Sequence, residues 1–140
     1  MLFPISARWI AQLAASAATE ADRRALADVC LEAGRQAMTR SAPATAERLF
    51  ARVVTLSPEN HDAWAQLGLV HLMDNRFAES ADALGRAITL GPPDAVALGG
   101  LALAELKLNR LDGARTHAAA ALAVDPNERL ALAVKAALGG

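Results

Sequence analysis

Apolar residues in the middle of the chain recur three and four positions apart. Trp64, Leu67 and Gly68 share one face, which His71 and Leu72 extend; after Asp74-Asn75-Arg76 a second set follows, Phe77, Ala81, Leu84, Ala87 and Ile88. Such spacings belong to amphipathic helices, and two helices joined by a short turn form an antiparallel pair. Pro92 closes the pair, because proline cannot continue a helix interior. The pattern repeats on both sides. Pro58, Pro92 and Pro126 stand 34 residues apart. Each lies behind an apolar stretch ending in Leu56, Leu90 or Val124, and each is followed by Glu59-Asn60, Pro93-Asp94 or Asn127-Glu128. A fixed period of this length is the signature of a repeat architecture. The predicted helices are 6–18, 20–39, 44–56, 60–73, 77–90, 94–108, 111–124 and 127–138.

These residues resemble the tetratricopeptide repeat, whose pattern is W-x₂-L-G-x₂-Y…A-x₃-F…P. Unit 61–94 reads Trp64-x₂-Leu67-Gly68-x₂-His71, then Ser80-x₃-Leu84, then Pro92; it departs at His71, Ser80 and Leu84. Unit 27–60 has Cys30 and Ala33 in place of Trp and Leu, but keeps Gly34, matches Ala46-x₃-Phe50 outright and ends at Pro58. Unit 95–128 carries Leu98, Leu101, Ala102, Ala114-x₃-Ala118 and Pro126. The resemblance implies an all-α, right-handed α-solenoid forming a single domain over 1–140. It would hold an N-terminal helical segment (1–26), three repeats and a C-terminal capping helix (129–140). Gly34 and Gly68 would sit where the first helix passes closest to its neighbour, and Trp64, Phe50 and Leu84 would fill the space between units. A single helix pair cannot bury its face, whereas a stack can. In the last helix Leu130, Val134 and Leu138 are expected to face inward; at the N-terminal end a separate capping helix would carry Trp9, Ile10 and Leu13, with Thr19 and Asp22 loosely imitating a capping box for the next.

In this family the first helix of each pair lines a concave groove, and ligand contacts come mostly from that surface. By position, the groove residues are Asp28, Leu31, Glu32, Arg35, Met38 and Thr39 in the first unit. In the second they are Asp62, Ala65, Gln66, Leu69, Leu72 and Met73, and in the third Val96, Gly99, Gly100, Leu103, Leu106 and Lys107. One subgroup clamps the terminal carboxylate of chaperone tails with Lys, Asn and Arg at set positions. Only Arg35 could anchor an anion here, so that mode is disfavoured. The groove is instead apolar toward its C-terminal half, a character that marks an interaction site. Gly99 and Gly100 are expected to leave its floor bare, so that a helix or extended segment could approach closely. The alternative is a surface covered by an end helix or a second subunit.

Composition narrows the rest. There are 14 Lys+Arg against 15 Asp+Glu, a formal charge of -1, which argues against a nucleic-acid protein with its usual basic surplus. Apolar residues make up 54% and aromatics 4%, and 35 residues are Ala, the strongest helix former. Cys30 is the only cysteine, so no intrachain disulfide forms and a reducing, cytoplasmic setting fits. The longest apolar run, Ala95 to Ala104, is half a membrane span. His61, His71 and His117 lack the spacing of a zinc helix. No phosphate loop is present, no serine has a histidine base nearby, and Glu105, at the place of the motif's Tyr, is expected to pair with Arg110 or Lys107.

The expectation is a non-enzymatic protein-binding module without cofactor or metal, an adaptor, assembly factor or small chaperone that takes an apolar helix or peptide. Neither nucleic acid nor membrane is an expected partner. Small bacterial secretion chaperones with three such repeats are similar in size and layout, and the Ala-rich, Arg-over-Lys composition points to a GC-rich bacterial genome. The alternatives are a self-assembling homo-oligomeric scaffold, or the regulatory piece of a larger enzyme.

Overall fold

The computed structural model describes residues 3–139, with side chains placed at Arg8 and from Glu20 onward. Seven helices follow one another: α1 (Phe3–Thr39), α2 (Pro43–Leu56), α3 (His61–Met73), α4 (Phe77–Leu90), α5 (Ala95–Lys107), α6 (Leu111–Val124) and α7 (Arg129–Ala137). The described residues form an α-solenoid: α1 pairs with α2, α3 with α4 and α5 with α6, and α7 lies against both α5 and α6.

One expectation fails at the N-terminal end. The separate helices 6–18 and 20–39 are a single helix of 37 residues, Phe3–Thr39. Nothing between Ile5 and Ala33 is glycine or proline, and a Thr with an Asp three positions on cannot interrupt a run of strong helix formers. The side chains of Trp9, Ile10 and Leu13 lie outside the described residues.

The period is written into the backbone. Ser41, Asn75 and Asn109, each 34 residues from the next, adopt positive φ of 57°, 59° and 61°. They close the first helix of each pair in the left-handed region, which Asn tolerates better than most residues. Helix starts recur as well. The Asn60 and Asp94 side chains accept hydrogen bonds from the backbone N–H of Ala63 and Val96 (3.1 and 3.0 Å), and Glu128 accepts from Ala131 N–H (2.7 Å).

Inside each pair the two helices meet at one small residue. A Cβ on Gly34 would stand 2.5 Å from Phe50 Cε1, and one on Gly68 would stand 2.5 Å from Leu84 Cγ. Both large side chains are fully buried. The third pair solves the same problem differently: Ala102 and Ala118 occupy the two places, so a methyl is accommodated because the facing side chain has shrunk. Ser80, buried where the other pairs have Ala46 and Ala114, donates its hydroxyl to the Gly68 carbonyl at 2.7 Å.

Three core clusters run along the stack. Trp64 packs against the first and second, and Ile88 and Leu103 against the second and third. The half-buried Trp64 indole N–H donates to the Pro58 carbonyl at 2.7 Å, and the Arg86 guanidinium lies 4.8 Å from its ring centroid. Arg76, before α4, ties the first two pairs together. It reaches Glu47 of α2 at 2.5 Å and its own neighbours Asp74 and Glu79 at 2.9 and 3.3 Å. The hydrogen bond to Glu47, with the three carboxylates' charge, raises the Arg76 pKa above its ordinary value.

Candidate functional site

The first helices of successive pairs, α1, α3 and α5, and then α7, present corresponding positions to one side of the stack. There a hollow of about 580 Å³ is lined by Met38, Gln66, Leu69, Leu72, Met73, Asn75, Leu103 and Leu130. Its walls come from four helices and one turn, and its only polar side chains are the neutral Gln66 and Asn75. Met73 is 62% exposed and Val96 46%, both high for apolar residues. A wide, uncharged, Met-containing surface of this kind adapts to apolar side chains of varied shape.

Six of the expected groove residues line the hollow: Met38, Gln66, Leu69, Leu72, Met73 and Leu103. Leu31 is buried in the first core cluster, Leu106 packs into the third, and Lys107 stands exposed at the end of α5. Two residues not expected there complete the lining. Leu130 was legible by register, being 34 residues after Val96. Asn75 belongs to the turn, and its left-handed conformation places it at the hollow's edge.

The glycine pair does not leave a bare floor. Both are buried. A Cβ on Gly100 would meet Leu69 Cδ2 at 3.0 Å and Leu84 Cδ1 at 3.1 Å, so this glycine lets α5 close on α3 and α4. Gly99 is covered by α7, and the Glu128 carboxylate lies where its side chain would be. The C-terminal helix thus seats on Gly99 and contributes Leu130 to the wall, leaving the hollow open beside it.

Arg35 offers no free cation. Its guanidinium lies 3.7 Å from Asp62 and 4.0 Å from Glu32. Elsewhere, Glu105 is buried and pairs with His117 of α6, not with Arg110 or Lys107. Gly113 makes room for that carboxylate, so His117 faces the seam between α5 and α6 and not the outer surface. His71 stands 3.8 Å from Glu47 and is largely covered. Among the described residues no three His, Cys, Asp or Glu side chains converge as metal ligands would, and no helix is long and apolar enough to cross a membrane.

Solved structures decide the architecture. The tetratricopeptide-repeat domain of Arabidopsis OM64 matches with a TM-score of 0.75 over 83% of this chain and 96% of its own, at 17% identity. The fold is that of the tetratricopeptide repeats. The second tetratricopeptide-repeat domain of human RPAP3, solved with the HSP70 peptide SGPTIEEVD, matches at 0.75 over 84% of this chain and 98% of that one, at 16% identity. MamA matches at 0.67 with 25% identity, over 71% of this chain and 55% of that one. No family model matches the sequence, and neither does any curated protein. Within the tetratricopeptide fold, the expectation that Gly34 and Gly68 mark the closest helix approach is met directly by Phe50 and Leu84.

Proposed function

We propose that the chain is a non-enzymatic, cytoplasmic binding module, an adaptor, assembly factor or small chaperone, that holds an apolar helix or peptide of a partner protein in its concave groove. The observation that carries this reading is the hollow itself: four helices converge on a space lined by Met and Leu with no charged side chain. An apolar face laid into such a groove is a recurrent mode of helix recognition. Support also comes from the RPAP3 domain of the same fold, which is in complex with a peptide.

The test is affinity capture from the native organism with wild type, Met73→Glu and Leu103→Glu side by side, followed by mass spectrometry. A carboxylate at the exposed Met73 should eliminate partner capture while the helical circular-dichroism signal and melting temperature stay near wild type, and one at Leu103 should do the same at some cost in melting temperature, since Leu103 also packs against the second and third clusters. Partners retained equally by all three proteins would refute the groove as the site. A second reading, self-association, is favoured by apolar residues exposed toward the two ends of the stack: Leu26 and Val29 on α1, Val124 and Leu132 at the other end. Concentration-dependent mass by light scattering separates the two.

A further inference from the structure

The groove's chemistry also bears on which segment it selects, an inference that rests on the groove being the binding site. The inner face changes character along the stack. Asp28 and Asp62 hold the same register position in the first two units, whereas Val96 and Leu130 hold it in α5 and α7. With Glu32 and Arg35, the charged end carries three exposed carboxylates against one guanidinium. Arg35 is already shared between Asp62 and Glu32, and His61 Nδ1 lies 3.6 Å from Asp62. Lys107, the other cation of the inner face, closes α5 and is not part of the hollow's lining. Asp62, Gln66, Leu69 and Met73 form one stripe of α3, at i, i+4, i+7 and i+11. Asp62 therefore stands about one turn, roughly 6 Å of helix rise, from the hollow's wall at Gln66.

We propose that the occupant of the groove is a cationic amphipathic segment of a partner protein. Its apolar side chains fill the hollow between Met73, Leu103 and Leu130, and an adjacent Lys or Arg lies over Asp62, Glu32 and Asp28. An acidic segment meets surplus carboxylate there and finds no unshared guanidinium. Exposed ion pairs are individually weak, so the apolar contacts supply most of the affinity and the carboxylates choose among segments of like apolar content.

Three fluorescein-labelled synthetic peptides test this by anisotropy. They share one apolar helical stripe and carry two Lys, two Gln or two Glu at one end. At low salt the Lys peptide should bind about tenfold more tightly than the Glu peptide, the worth of two exposed pairs, and the gap should close near ~1 M NaCl. The double variant Glu32→Gln/Asp62→Asn should lower Lys-peptide affinity to that of the Gln peptide, while Asp112→Asn, on α6 outside the groove, should change nothing. Met73→Glu should abolish binding of all three. Equal wild-type affinities, or tighter Glu-peptide binding, overturn the cationic preference and leave the groove reading standing. Binding unaffected by Met73→Glu, or no binding by any peptide, overturns both.

Discussion

The seam between α3 and α4 can be tested with two substitutions that cost more apart than together. Leu84 is fully buried, lies against Gly68 across the seam and also reaches Gly100 of the next pair. Leu84→Ala removes its isobutyl group from a site bounded by helix backbone, which can collapse little, so the cost should be about 3–4 kcal/mol. Gly68→Ala forces a methyl to within 2.5 Å of Leu84 Cγ. That overpacking costs about 1–3 kcal/mol, partly offset by roughly 1 kcal/mol from the better helix propensity of Ala. The double variant rebuilds the Ala102–Ala118 arrangement of the third pair: the new methyl occupies part of the space that Leu84 vacated, and the propensity gain is kept. Its destabilisation should fall about 1–2 kcal/mol short of the sum of the singles, well beyond the few tenths expected of independent sites. Urea unfolding followed by ellipticity at 222 nm, on all four proteins, measures the coupling. Additivity within about 0.5 kcal/mol would show that the glycine is not there to admit the leucine.

Two further predictions concern carboxylates seated over glycines. Gly99→Ala should expel Glu128 from its place at the start of α7, read as faster hydrogen exchange in 128–138 with 61–90 unchanged. His117→Ala leaves the Glu105 carboxylate buried without its partner and should cost about 2–4 kcal/mol, most of which Glu105→Ala in the same chain should recover in urea unfolding.

Much of this was legible because the decisive contacts repeat. Proline at 34-residue intervals fixed the phase, and Gly34 and Gly68 face residues 16 positions on in both pairs. Local punctuation was less dependable. The break expected near Thr19 is absent because only a capping preference, with no glycine or proline, argued for it. The Glu128 contact with Gly99 joins residues 29 positions apart, and no local pattern announces it. The Glu105–His117 pair did have a signal. Glu105 lies just before the turn after α5 and His117 nearly two turns into α6, and two antiparallel helices joined by a short turn bring such positions together, as they bring Ser80 to Gly68.

The joints of the stack share apolar packing and differ in one contact. Between the first and second pairs, Arg76 is a clasp of opposite charges with Glu47. One period later Arg110 has Ala81 where that carboxylate would be, and the joint relies on Leu84 pressed against Gly100. Brine should therefore weaken the first joint by that ion pair's modest share and leave the second unchanged, whereas chilling should act on both, since Phe50 and Val53 share a buried cluster with Ala63, Leu67 and Val70 at the first.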